Sequence, residues 1–148
     1  MKENNDIGFK VRILSNLIKR DVEKSKSELG LGLPNGINGW AISYFYEHLG
    51  EDVFQKDFET EFSIRRSTAS NILKTMEQKG FINRVSVESD ARLKKIVLTK
   101  KAVDIHETIL KSINKREERL RNGLSEQEVQ TFLNVADKLI ANMEDSND

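Results

Sequence analysis

From about Asp6 to Leu29 apolar residues recur at three- and four-residue spacing, with Ile7, Val11, Leu14, Ile18 and Val22 on one stripe. That spacing predicts an amphipathic helix. Phe9, Ile13 and Leu17 add a second stripe, so the apolar surface is wider than one core face requires. Gly30, Gly32, Pro34, Gly36 and Gly39 then fall within ten residues and predict a loop. Asn38 is placed to cap a second helix carrying Ala41, Tyr44, Phe45, His48 and Leu49, which Gly50 ends. Asp52 with Gln55 resembles a capping box for a short third helix bearing Phe54, Phe58 and Phe62 at four-residue spacing. A polar turn, Ser63 to Arg66, leads into a fourth helix ending at Lys79. Its buried stripe is Ala69, Ile72, Leu73 and Met76, and its opposite face holds Ser67, Ser70, Asn71, Lys74 and Gln78.

Beyond Gly80 the period changes. Phe81 to Glu88, with Val85 and Val87 alternating, and Leu93 to Leu98 read as two strands joined by a turn at Ser89–Arg92. Thr99 is placed to cap a long fifth helix with Ala102, Ile105, Ile109, Ile113 and Leu120, closing near Gly123. Ser125 and Glu128 form a capping box for a sixth, which carries Val129, Phe132, Leu133, Ala136, Leu139, Ile140 and Met143 before a polar tail. The order is α-α-α-α-β-β-α-α, with no internal repeat. Two short helices joined by a tight turn and followed by a hairpin make a mainly α, winged helix-turn-helix fold. A single domain spanning 1–148 is expected, with the winged helix over about 38–100. The terminal helices, about 6–29 and 100–144, either pack on one another or interleave with a second copy. Dimerisation is favoured, because repressor-type helix-turn-helix proteins reach adjacent major grooves as twofold dimers.

Charge sharpens this picture. The chain has 24 basic and 24 acidic residues, yet Ser63–Lys101 holds ten Lys and Arg against three Asp and Glu, a net of +7. The remainder is −7. Glu47–Glu61 alone has six acidic residues against Lys56, which confines any polyanion to the fourth helix and the hairpin. A basic helix with a basic hairpin suits duplex DNA, and an interaction module that never touches DNA needs no such one-sided charge. No apolar run approaches a membrane span and MKENNDIGFK lacks a signal peptide's apolar stretch, so a cytoplasmic protein without a membrane partner is expected. There is no Cys, hence no disulfide or thiolate chemistry. Catalytic machinery is equally absent. No Gly-rich phosphate loop or persuasive Ser/His/Asp set is present, and His48 and His106 stand outside any HxxxH or HExxH pair. Each histidine reads as a helix-surface or pocket-edge residue, with no metal or other cofactor expected.

Arg66-Ser-Thr-Ala-Ser-Asn-Ile-Leu, Met76-Glu-Gln-Lys-Gly-Phe-Ile, and Asp90-Ala-Arg92 leading to Val97-Leu98-Thr99 resemble the multiple antibiotic resistance regulator (MarR) family of winged-helix transcription factors. Their order and spacing carry the likeness over nearly the whole chain. Three positions depart from the family pattern: Ala102 stands for a usual Gly, Leu93 for a second wing Arg, and Asn38-Gly39-Trp40 for a Thr/Pro-led helix start.

The resemblance implies a sequence-specific DNA-binding regulator, expected to repress as a homodimer on a pseudo-palindromic operator. The fourth helix would enter the major groove. Ser67 and Thr68 would donate to phosphate at its N-terminus, Asn71 would pair with adenine, and Arg65 or Arg66 would reach guanine or phosphate, with Ser70 and Lys74 on the same face. The resemblance places Arg92 in the minor groove, steadied by Asp90, with Arg84, Lys94 and Lys95 adding phosphate contacts. It also implies a small aromatic or anionic effector. Trp40, Tyr44, Phe45 and His48, with Ile13 and Leu17, are the candidate lining, although aromatics at helical spacing equally describe core.

Overall fold

A computed structural model describes residues 5–30 and 39–144. The Asn38 cap, Gly32, Pro34 and Gly36 of the expected loop, and the polar tail beyond Glu144 lie outside the described residues. Helices α1 (Ile7–Leu29), α2 (Gly39–Glu47), α3 (Gln55–Glu61) and α4 (Arg66–Gln78) precede strands β1 (Ile82–Val87) and β2 (Asp90–Leu98), and α5 (Lys100–Arg121) and α6 (Glu126–Glu144) follow. The chain divides into two compact units, Met1–Lys111 and Ser112–Asp148, with the break inside α5.

The first unit holds the core. Ile42, Phe58, Leu73, Met76, Phe81 and Ile82 are its largest fully buried side chains, and Ala41, Phe45, Val53, Ala69, Ile96, Leu98, Ala102 and Ile109 complete it. Full burial of one such side chain contributes about 1.5–3 kcal/mol. Aromatic rings join α2 to α3. Phe45 stacks on Phe58 with centroids 5.3 Å apart, and Phe58 lies 4.8 Å from Phe62. The four-residue phenylalanine spacing therefore holds for that pair, while Phe54 sits just outside the helix as its N-cap.

That cap differs from the expected Asp52–Gln55 box. The Phe54 N–H donates to Asp57 Oδ2 at 2.8 Å, Asp52 pairs with Lys95, and Gln55 Nε2 donates to the Arg66 carbonyl at 3.4 Å. The reason lies just upstream, where Val53 is buried and its carbonyl accepts the Ile96 N–H at 2.7 Å. Residues 52–54 must stay out of helical geometry to lie along β2, so α3 begins only afterwards. Along α4, Ala69, Leu73 and Met76 are buried and Ile72 half-buried. Arg66, expected in the preceding turn, is instead its first residue. Gly80, at φ 77°, takes the left-handed conformation that stops the helix and lets Phe81 turn back, its N–H donating to the Met76 carbonyl at 2.8 Å.

β1 and β2 pair antiparallel, with Ile82 opposite Leu98 and Arg84 opposite Ile96. The expected turn at Ser89–Arg92 is displaced. Glu88 and Ser89 make it, Asp90 already pairs with Val87, and a register shift lets Ser86 pair with Lys94. β2 thus starts at Asp90 rather than Leu93, and Ala91, Arg92 and Leu93 are the extra residues of an irregular tip.

Thr99 caps α5 as expected, accepting the Ala102 N–H at Oγ1 at 3.3 Å. The buried stripe of α5 is rotated from the expected one. Ala102, His106 and Ile109 are inside, Ile105 and Ile113 are half-buried, and Leu120 is exposed. In the second unit Ser125 and Glu128 cap α6 reciprocally, with Ser125 N–H to Glu128 Oε2 at 2.8 Å and Glu128 N–H to Ser125 Oγ at 3.1 Å. No residue of α6 is buried.

Candidate nucleic-acid interface

α4 turns its polar residues outward because Ala69, Leu73 and Met76 fix its other side in the core. Arg65, Arg66, Ser67, Thr68, Ser70, Asn71 and Lys74 are all exposed. Arg65 is the N-cap and Ser67 and Thr68 occupy the first turn, where unpaired backbone N–H groups and the helix dipole favour an anion. The only acidic residue of α4, Glu77, stands near its far end.

The wing presents its cations unequally. Arg92 at the irregular tip has a side chain 94% exposed, and Asp90 Oδ1 accepts both its backbone N–H at 2.9 Å and its Nε at 3.4 Å. The carboxylate orients the guanidinium without burying it. Lys94 is exposed. Lys95 is half-buried and its Nζ lies 3.1 Å from Asp52 Oδ1. Arg84 is turned against α4, its Nε 3.5 Å from Glu77 Oε2. Of the expected wing contacts, then, Arg92 and Lys94 stand open, whereas Arg84 and Lys95 are engaged by acids that sequence spacing had not linked to them.

The six candidate ligand-binding residues do not converge. Phe45 is core. Tyr44 packs on Phe62 at 5.6 Å and on His48 at 4.4 Å. His48 Nδ1 lies 2.7 Å from the Tyr44 carbonyl, and its ring edges a cavity of about 170 Å³ against β2. Burial raises the Tyr44 pKa, and Asp57, Glu61 and Glu51 raise it further, so the phenol stays protonated. Trp40 faces a different stripe of α1 from the one expected. It lines a groove of about 440 Å³ with Val11, Leu14, Ser15, Ile18, Lys19, Val22 and Glu23, while Ile13 and Leu17 are exposed and outside that lining.

His106 corrects the expectation of a surface or pocket-edge residue. It is 7% exposed and its ring stacks on Tyr46 at 3.7 Å and 12°. Its Nδ1 is buried without a hydrogen-bond partner, and burial lowers its pKa while Glu47 pulls the other way. The signal that it belongs inside was available, since it lies four residues after Ala102 and three before Ile109.

The family profile described as MarR family matches residues 51–94, from the start of α3's approach through the wing tip. Over that segment, α3 to the wing, the chain is similar to the MarR family. Among solved structures, the transcription regulator MarR from Oenococcus oeni PSU-1 is 29% identical at TM-score 0.78, over 92% of this chain and 99% of that one. The heme sensor protein PefR from Streptococcus agalactiae, solved with heme, is 28% identical at TM-score 0.65, over 98% and 100%. Staphylococcus aureus MepR, solved bound to DNA, shares the fold at TM-score 0.83 and 22% identity, over 95% of this chain and 99% of that one. The chain thus has the winged-helix fold of these transcription regulators. Among the described residues no helix is long and apolar enough to cross a membrane.

Proposed function

We propose that this protein is a MarR-family transcription regulator that binds a pseudo-palindromic operator as a homodimer and represses transcription there, with release by a small aromatic or anionic effector. The observation that carries the reading is the division of exposed surface. Polar and basic side chains of α4 and the wing stand open, while the apolar faces of α1 and α6 are uncovered in the single chain. A second copy would cover those apolar faces, and a duplex would cover the basic ones. Half-site centres are expected about one helical turn, roughly 10 base pairs, apart.

In this reading Ser67 and Thr68 donate to phosphate, Asn71 reads adenine, and Arg65, Arg66, Ser70 and Lys74 share the remaining base and phosphate contacts. Arg92 enters the minor groove, with Asp90 holding its approach, and Lys94 adds a phosphate contact. The groove beside Trp40 is the best supported effector site, because apolar walls and the ammonium of Lys19 suit an aromatic anion. An effector acts there only by favouring a dimer geometry that no longer spans adjacent grooves.

Arg92→Ala tests the interface. Losing one cation–phosphate or groove contact is expected to weaken operator binding and to flatten the log–log salt dependence by about 0.9 while the fold is retained. Affinity equal to that of the unaltered protein across the titration would overturn the wing assignment.

A further inference from the structure

Arg84 is the one wing cation whose position is set by the reading helix itself. It lies opposite Ile96 in the hairpin, on the strand face that also carries Ile82 and Leu98, so its stem runs beside the core. Its side chain is 28% exposed, and its buried Nε lies 3.5 Å from Glu77 Oε2, an ion pair without a hydrogen bond. Glu77 is the sole acid of α4 and follows its exposed polar face by one turn. A similar pairing recurs on the other strand, where Asp52 holds Lys95 at 3.1 Å. Arg92 differs, because Asp90 braces it at the tip with the guanidinium still in solvent.

We propose that Glu77 is a specificity-determining positioning residue that holds the Arg84 guanidinium against α4 and out of reach of phosphate. The proposal rests on the reading of α4 and the wing as the DNA surface. Each cation that meets a phosphate adds affinity without regard to sequence. A regulator competes against a vast excess of non-operator duplex, so withholding a cation limits binding where no information is read. Pairing also keeps Arg84 from becoming a long, mobile guanidinium beside the bases. Glu77 thereby removes one sequence-independent contact and leaves Arg92 and Lys94 as the wing's contribution.

The test is a salt titration of the full chain on random-sequence duplex, comparing the unaltered protein with Glu77→Gln, Arg84→Met and the double variant. Melting curves confirm that each folds. Glu77→Gln is expected to steepen the log–log slope by about 0.9, which means about 3.5-fold more affinity lost between 50 and 200 mM salt. Arg84→Met alone is expected to leave the slope unchanged, and in the double variant it should cancel the gain. That cancellation separates a released Arg84 from the simple loss of a negative charge. A Glu77→Gln slope equal to the parental one, or a shallower slope for Arg84→Met alone, overturns the proposal. The Arg84→Met arm decides the matter independently should Glu77→Gln fail to fold. Absence of salt-dependent duplex binding by the unaltered protein would instead overturn the DNA reading beneath it.

Discussion

Helices α4 and α6 carry the same kind of apolar stripe and meet opposite fates. Ala69, Leu73 and Met76 of α4 are wholly buried, whereas Phe132, Leu133, Ile140 and Met143 of α6 are all exposed, Phe132 at 57%. A stripe at helical spacing states that an apolar face needs cover; it does not state whose atoms supply it. In the first unit the cover of α4 is local, from α3 and the hairpin. In α6 the chain leaves it open, and α1 repeats this with Ile7, Phe9, Val11 and Leu17 exposed. Contiguous exposed apolar faces of this kind mark association surfaces. The contrast separates a stabilising face from one we propose associates, and the two should respond differently to the same kind of damage.

The largest effect is expected at Phe58, which is fully buried and contacts Phe45, Tyr44 and Phe62. Phe58→Ala should cost about 3–5 kcal/mol of unfolding free energy, read from denaturant midpoints. A cost below about 1 kcal/mol would mean that the first unit is not organised around this ring. Phe132→Asp probes the other face and should behave differently. It should keep its helical content while the dimer proposed above weakens by about 2 kcal/mol or more, roughly 30-fold, as for an interface anchor. Sedimentation velocity at micromolar concentration reads this directly. A Phe132→Asp protein that sediments like the parent would show that α6 is not the associating face, and the comparison with α4 would collapse.

The contrast also explains what was legible in the sequence. Element order was, because the period switches from helical to alternating at Gly80 and back after Thr99, and because Ser125 with Glu128 and Thr99 with Ala102 cap locally. Positions set by distant chain were not. Asp52 looked like a helix cap because Gln55 follows at the right spacing, yet Lys95, remote in sequence, claims it. Arg84 and Lys95 looked like free cations for the same reason. The exposed face of α4 was legible, since burying Ala69, Leu73 and Met76 leaves Ser67, Ser70, Asn71 and Lys74 outside. The ligand lining was less so, because aromatic residues at helical spacing serve core and cavity alike, and Phe45 went to the core while Trp40 did not.

His106 gives the smallest effect and belongs to the buried side of the comparison. Its ring lies flat on Tyr46, joining α5 to α2, and Glu47 is the acid that acts on it. Burial disfavours the imidazolium, so the folded pKa lies below the ordinary 6.5 despite that carboxylate. The sign follows from proton uptake. Above about pH 6.5 both folded and unfolded chains carry neutral imidazole and this group gives no pH dependence. As pH falls below that value the unfolded chain takes up a proton that the folded chain refuses until lower pH, so stability declines. His106→Phe keeps a ring against Tyr46 and removes the proton site. Denaturant midpoints between about pH 7 and pH 5, at fixed protein concentration, should therefore fall for the parent and fall less for His106→Phe. Equal slopes for the two proteins would mean that the imidazole accepts its proton in place, and that the α2–α5 contact is as tolerant of charge as the open face of α6.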